Sequence, residues 1–532
     1  MSDSSRALGH MRVGNLLTTA AIRYGGQQAF YCAPTGRRFT FRQLDERVNR
    51  LANALLALGL RKGDRVAFLS TNRIEVVDIY LAIARTGLVG LPLNYRLAPV
   101  EMRALVGEVG ACALIVERRF ADALPVVREG LSGERRVIAL GEPAGGAGPD
   151  GATAGGDGPI LDYDELCAGA GSDDPGIDID EHDPYYFNLT SGTTGLPKCY
   201  LISHYNAASF LPMFQALHVD ERDVLMTVFP MYGRVGFAWV ACGLIWGNRN
   251  VLMNFDVGEA LRLIEAEQVT MVNLVPTMGA MLLASPALAR SDLHSLRGIV
   301  FAGSLLPAPV REGIQARVCP QIYEYYGMQE TSTLVVSTPR DRVRRPDSVG
   351  RPILFAELRI VDEAGRDVPV GQTGAVIGRS PGTVAGYFNN PGKTAETFRD
   401  GWLHTGDLGR LDDEGYLYIN GRLKDVIVTG GQNVHAGEVE EAILGCDGVA
   451  DCAVVGLPDP LWGEVVTAIV VPHDGRKVSE AEVIAHCRAS LAGFKTPKRV
   501  LIRDDALPRT PTGKVQKFRL VEQYAPVEEK PR

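Results

Sequence analysis

The sequence contains no C-x-x-C pair and no Cys/His cluster at zinc spacing: its nine cysteines, at 32, 112, 167, 199, 242, 319, 446, 452 and 487, are scattered over 532 residues. That pattern excludes a zinc ribbon or a disulfide scaffold and suits core thiols in a reducing compartment. Basic charge is not in excess, because 55 Lys and Arg against 63 Asp and Glu leave a net charge of −8, which argues against nucleic acid as a partner. No apolar run is clean enough to span a membrane. The best candidate, Met271 to Ala289, carries Asn273, Pro276 and Pro286 and reads as a buried strand running into a helix. Met1 to Asn15 holds Asp3, Arg6, His10 and Arg12 in place of the apolar block of a signal peptide. Repeats of solenoid period are absent. The expectation is a soluble cytoplasmic protein with no integral membrane segment.

What is present is ordinary core-forming material. Hydrophobic residues make up 46% and charged residues 22%, so disorder and collagen-like repeats are excluded and the length allows two to four domain-sized units. Leu44, Val48, Leu51, Leu55 and Leu58 fall on one helical face, with a Thr40/Gln43 capping-box pattern before them and Gly59 to end the helix. A β-rich run, Val66 to Leu69, then a helical stretch to Arg85, begin an alternation that continues through Ala113–Val116, Val224–Phe229, Thr270–Val275 and Ile299–Ala302. Such alternation predicts an α/β fold with mostly parallel sheets. Residues 141–159 hold eight glycines and three prolines, the composition of a flexible surface insertion. After Arg379 the text turns rich in Gly, Asp and Tyr, and a βαβ-like pattern resumes from Ala436. The reading is a large domain over 1–423 and a small α+β domain over 424–532, with the boundary near Gly421 to Asp425.

Thr190 to Lys198 reads T-S-G-T-T-G-L-P-K and follows the apolar run Tyr185 to Leu189. Hydroxyls, glycines and a lysine after a strand are what a backbone loop needs to approach a polyphosphate. It is not a Walker A loop, since Gly192 and Gly195 have the wrong spacing and no Ser or Thr follows Lys198.

This segment resembles the phosphate loop of the adenylate-forming superfamily, which includes acyl-CoA synthetases, peptide-synthetase adenylation domains and luciferases. Further segments are similar to its acyl-CoA synthetase branch, in family order: Leu51 to Asp64, Leu91 to Leu97, Gly386 with Tyr387, Trp402 to Asp407 (W-L-H-T-G-D), Gly421 to Glu440 and Pro508 to Lys514 (P-R-T-P-T-G-K). The resemblance implies a large N-terminal domain and a small mobile C-terminal one, with ATP and Mg²⁺ as cofactors and CoA as co-substrate. It assigns Thr190, Ser191, Gly192, Thr193, Thr194, Gly195 and Lys198 to the ATP phosphates. Tyr326, with Gly327 and Gln329 beside it, would stack on adenine opposite Ala302, Gly303 and Ser304. Glu330 would bind Mg²⁺, and Asp407 and Arg422 the ribose. Lys424 would be the hinge, Lys514 the mobile lysine of adenylation, and Gly430 with Gly431 the face presented to the thiol. Without the resemblance, Asp407 and Glu330 read as solvated loop acids. With it, they have a chemical reason, because a carboxylate attacking an α-phosphate is two anions meeting, and cations must stabilise the charge that gathers there.

Where family ligases carry an aromatic residue followed by His, this chain reads P-M-Y-G-R-V-G over 230–236. Tyr232, Gly233, Arg234 and Met328 are the expected substrate pocket. Gly233 replaces the histidine, and Arg234 reads either as facing an anionic substrate group or as a surface or acid-paired arginine. Cys199 stands in place of a glycine and Gln329 in place of a threonine. Cys199, His204 and His404 read as structural. The implied activity is an ATP-dependent acid–CoA ligase, AMP-forming, that releases pyrophosphate. The alternatives are another substrate or acceptor (a carrier protein, an amine, or nitrite activated to diazotise an arylamine) or a nucleotide-binding regulator without turnover. A homodimer is left open.

Overall fold

The computed structural model describes residues 11–141, 159–190, 198–304, 306–430, 432–459, 461–509 and 514–525. Most of the Gly-rich insertion, the loop residues Ser191, Gly192, Thr193, Thr194 and Gly195, and Gly431 lie outside the described residues.

Two large sheets dominate residues 11–352. In the seven-stranded one, Arg65–Leu69 lies between Val89–Pro92 and Ala113–Glu117, all parallel. In the nine-stranded one, Val224–Thr227, Met271–Leu274, Gly298–Phe301 and Ile322–Met328 run parallel as neighbours. One continuous core joins both sheets, from Phe68 and Ile115 to Phe30 and Val300. The helix Ile74–Thr86 is buried along its whole length, as expected of a helix packed on all sides. The expected helix over 44–58 runs Phe41–Ala57, with the Thr40/Gln43 capping box formed. Gly59 follows its end at φ +86°, a conformation that glycine adopts without steric cost. Met271–Leu274 is a strand and Pro276–Ala284 the helix after it, and no helix among the described residues is long and apolar enough to cross a membrane.

The Gly/Asp/Tyr-rich text beyond Arg379 belongs to a third sheet, antiparallel, whose long strand Trp402–Leu411 pairs with Gly374–Arg379 and Leu417–Arg422. Its turns were legible but its pairing was not. One short turn, Leu423–Asp425, then leads to Val426–Thr429, which belongs to a fourth sheet. Residues from 436 differ in order from the expected βαβ pattern. The helix Ala436–Leu444 comes first, followed by the antiparallel pair Val449–Asp459 and Gly463–Pro472. Only then does the helix Glu480–Ser490 return the chain to Arg499–Ile502, parallel to Gly463–Pro472.

Candidate active site

Parallel α/β sheets gather their functional loops beyond the carboxyl ends of the strands. Here the carboxyl ends of Gly298–Phe301 and Ile322–Met328 supply Ala302 to Ser304 and Gln329 to Thr331. Ile322–Met328 turns back into Ser332–Ser337, and a Cβ on Gly327 would stand 2.1 Å from the Ser332 carbonyl oxygen, so only glycine permits this hairpin. The tip is closed by hydrogen bonds from the Met328 amide to Thr331 Oγ1 (3.1 Å) and from the Thr331 amide to the Met328 carbonyl (3.2 Å).

Glu330, at the tip, is 5% exposed. Its Oε1 accepts a hydrogen bond from the Tyr387 hydroxyl at 2.7 Å, and the Lys198 ammonium sits 5.1 Å from the centroid of that same ring. Burial lowers the Lys198 pKa, Lys393 adds to the effect, and Glu330 opposes it. Lys198, Tyr387 and Glu330 thus form one group, with Thr190 pairing Lys198 across the strands. Tyr387 carried no assigned role in the sequence. Its signal was the Gly386–Tyr387 pair alone.

A second group surrounds Asp407, which is 4% exposed. Tyr326 donates its hydroxyl to Oδ2 at 2.8 Å, and Arg422 forms an ion pair with Oδ1, its Nε 2.8 Å away. Arg422 reaches Asp407 because the two are direct partners across adjacent strands, and Thr405 Oγ1 accepts the Asp407 amide at 3.0 Å. Lys514 joins this group from the far end of the chain. It keeps contact with solvent, yet loss of solvation, followed by the nearby Arg422, pulls its ammonium down to about 8, with Lys424 adding to the shift and Asp407 and Asp425 opposing it. The structure therefore brings Tyr326, Asp407, Arg422, Lys424 and Lys514 together. Gly430 lies elsewhere, at φ +55° against Trp462: its amide donates to the Trp462 carbonyl at 2.8 Å, and a Cβ there would sit 2.7 Å from the indole ring.

Residues 17–388 match the AMP-binding enzyme family, and residues 438–514 match the AMP-binding enzyme C-terminal domain. The chain belongs to the AMP-binding enzyme family. It is an AMP-forming ligase of the acyl-CoA synthetase branch. It is similar to a feruloyl-CoA synthase of Amycolatopsis sp, 34% identical over 504 residues that cover 93% of this chain and 94% of the relative. A fatty acid–[acyl-carrier-protein] ligase of Streptomyces coeruleorubidus is 32% identical, with 92% of each chain covered. Among solved structures, ATP-bound MatB from Rhodopseudomonas palustris superposes with a TM-score of 0.85 at 32% identity, over 97% of this chain and 100% of that one.

This AMP-binding enzyme departs from the sequence reading at Arg234. The arginine is buried and pairs with no acid among the described residues. It is 3% exposed, and its guanidinium donates to the backbone carbonyls of Gln329 (2.8 Å), Gly382 (2.9 Å) and Asn206 (3.2 Å). Both terminal nitrogens are thus engaged by carbonyls, while Nε has no partner among the described residues, so the arginine serves the backbone here and no anion-facing arrangement is seen. Gly233 caps the helix Arg234–Trp246, and a Cβ there would meet nothing closer than the Pro230 carbonyl at 3.6 Å, so the local backbone does not require glycine. Tyr232 packs edge-on against Tyr95, ring centroids 5.2 Å apart, and burial pushes its hydroxyl up to about 12. Gln329 accepts through its side-chain oxygen from Asn188 at 3.0 Å. Cys199 is buried with its thiol pushed up to about 12 by loss of solvation, which suits an inert thiol. His404 is half-buried and its pKa is lowered, chiefly by burial.

No group of three or more His, Cys, Asp or Glu capable of holding a metal occurs among the described residues. Glu330 can nevertheless contribute to a shared cation site. Oε1 is oriented by Tyr387, Oε2 has no hydrogen-bond partner among the described residues, and a hard cation readily completes its shell with phosphate and water oxygens.

Proposed function

We propose that this ligase activates a carboxylic acid with ATP and passes the acyl group to CoA. In the first step the acid's carboxylate oxygen bonds to the α-phosphorus, the bond to the pyrophosphate oxygen breaks, and acyl-AMP and pyrophosphate result. In the second, the CoA thiol loses its proton, its sulfur bonds to the acyl carbon, and AMP leaves. The observation that carries the reading is the convergence of Lys514, Asp407, Arg422 and Tyr326. A cation from near the end of the chain lies within electrostatic reach of a carboxylate able to accept hydrogen bonds from ribose hydroxyls, as charge stabilisation in phosphoryl chemistry requires.

Lys198 adds a second positive charge on the phosphate side, and the loop Thr190 to Lys198 is read as the cradle. Glu330 would hold Mg²⁺, which when bound offsets the phosphate charge. Ala302 to Ser304 and Tyr326 are read as the walls of the adenine site. Lys424, in the short turn between two sheets, is read as the pivot on which residues 424–532 turn, withdrawing Lys514 and presenting Gly430 and Gly431 to the thiol. All nine cysteines are free thiols, which suits work in the cytoplasm.

A second acceptor, the pantetheine thiol of a carrier protein, is favoured by the similarity to a carrier-protein ligase. The test is pyrophosphate release across fatty, aryl, dicarboxylic and amino acids, each with CoA, with a carrier protein, or with neither. Acid-dependent release with thioester formed only on CoA is the expected result. Thioester on the carrier protein alone would move the reading to the second acceptor, and no release with any acid would overturn it.

A further inference from the structure

We propose that Arg234 is a positioning residue for Glu330: by holding the carbonyl of Gln329 it fixes the peptide that aims the Glu330 carboxylate, and so sets the affinity for the cation paired with ATP. The inference rests on the reading of Glu330 given above.

The three carbonyls that Arg234 grips belong to three separate segments: the hairpin tip after Ile322–Met328, the loop after Gly374–Arg379, and the helix His204–Ala208. A second residue ties two of the same segments, since Asn206 Nδ2 donates to the carbonyls of Pro381 (2.9 Å) and Thr383 (3.2 Å). At the hairpin tip the consequence is specific. Three successive carbonyls, of Gln329, Glu330 and Thr331, each accept from a donor outside the hairpin. Gln329 accepts from Arg234 Nη1 (2.8 Å) and the Tyr200 hydroxyl (3.0 Å), Glu330 from the Val384 amide (2.9 Å), and Thr331 from Ser380 Oγ (2.6 Å). Of these donors only Arg234 is ionised, and charge-assisted bonds are the stronger ones. With its backbone held on both sides and Oε1 held by Tyr387, the Glu330 side chain has little freedom left.

Room for the guanidinium is made by glycine. A Cβ on Gly382 would stand 3.0 Å from Arg234 Nη2 and 2.9 Å from the Thr331 carbonyl oxygen, so any larger residue there pushes the loop off the clamp. The planar fork explains why arginine occupies position 234, since one guanidinium serves carbonyls that diverge from it, which a single ammonium serves less well. Groups that orient a metal-binding side chain, without touching the metal, usually change its affinity by about 10- to 100-fold when removed.

The experiment compares wild type, Arg234→Met and Arg234→Lys with two readouts. Pyrophosphate release at saturating acid and ATP is titrated with Mg²⁺, and melting temperature is measured alone, with ATP in chelator, and with ATP plus Mg²⁺. In Arg234→Met, half-saturation by Mg²⁺ is expected to rise about 10-fold or more, and the part of the melting-temperature gain that depends on Mg²⁺ to vanish, while KM for the acid stays within about twofold. Arg234→Lys, which keeps the charge and loses the fork, falls between. An unchanged Mg²⁺ titration in Arg234→Met, with only the unliganded melting temperature reduced, would make Arg234 a purely structural residue and overturn the proposal. Should Arg234→Met fail to fold, an unchanged Mg²⁺ titration in Arg234→Lys overturns it equally. Absence of release in wild type with every acid counts against the proposed function, and the Mg²⁺-dependent melting shift then still tests the clamp.

Discussion

The hydroxyl of Tyr326 and the guanidinium of Arg422 grip opposite oxygens of the Asp407 carboxylate, each at 2.8 Å. A carboxylate has about four lone-pair sites, so two remain for the hydroxyls of a ribose. Asp407→Asn keeps the shape and removes the charge. Hydrogen bonds to a charged group contribute about 1.5–3 kcal/mol, so KM for ATP should rise roughly 10- to 150-fold while kcat changes little. Steady-state kinetics decide it, and a KM within about twofold of wild type would remove Asp407 from the ribose site.

The Lys514 ammonium, drawn down to about 8, gives the first half-reaction a pH limb. The protonated form is the useful one, so adenylation should fall as pH rises through about 8. Lys514→Arg, which stays charged over the whole range, should lack that limb. Lys514→Ala should lose about 10² to 10³ in adenylation rate, the usual cost of one charge-stabilising donor, and largely spare thioester formation from a pre-made acyl-adenylate. Equal losses in both steps would contradict the role.

Lys424 occupies a turn only three residues long between the third and fourth sheets. Proline at 424 fixes φ near −65° and restricts Leu423 as well. Lys424→Pro should therefore slow thioester formation while single-turnover adenylation stays near wild type. A matching fall in adenylation would place the pivot elsewhere.

His204 is fully buried, stacks on Tyr185 with ring centroids 4.8 Å apart, and has no hydrogen-bond partner on either ring nitrogen among the described residues. Burial pulls its pKa from 6.5 to about 4. The folded state thus holds fewer protons than the unfolded one between these values, and stability present above pH 6.5 is lost as pH falls toward 4, about 2 kcal/mol of it by pH 5. His204→Phe keeps the stack and removes the titration, so its melting temperature should fall less between pH 7.5 and pH 5. Equal falls would show that the acid sensitivity arises elsewhere.

Periodicity sufficed for the helix Phe41–Ala57 and the parallel strands, because burial on one face and strand–helix alternation are written directly in the order of residue types. Glu330, Asp407, Arg422 and Lys514 are singled out only through the family resemblance of short ordered motifs; read alone, Glu330 and Asp407 look like solvated loop acids, whereas both are buried. The role of Arg234 was not legible, for a physical reason: its partners are the backbone carbonyls of Gln329, Asn206 and Gly382, and a carbonyl is the same in every residue. The antiparallel pairing of Trp402–Leu411 was hidden similarly, since register depends on backbone hydrogen bonds between distant segments.

The packing of Trp462 against Gly430 gives the chain a spectroscopic marker of its own. This indole is 41% exposed and lies under the Lys498 ammonium, whereas Trp239 is buried in the core and Trp402 is flanked by Arg359 and Arg379 in the third sheet. In the proposed rotation that carries Gly430 toward the adenylate, Trp462 would leave water while Trp239, Trp246 and Trp402 keep their surroundings. Its emission should then move to the blue on turning, and stopped-flow fluorescence on the unlabelled enzyme would time that movement separately from bond making.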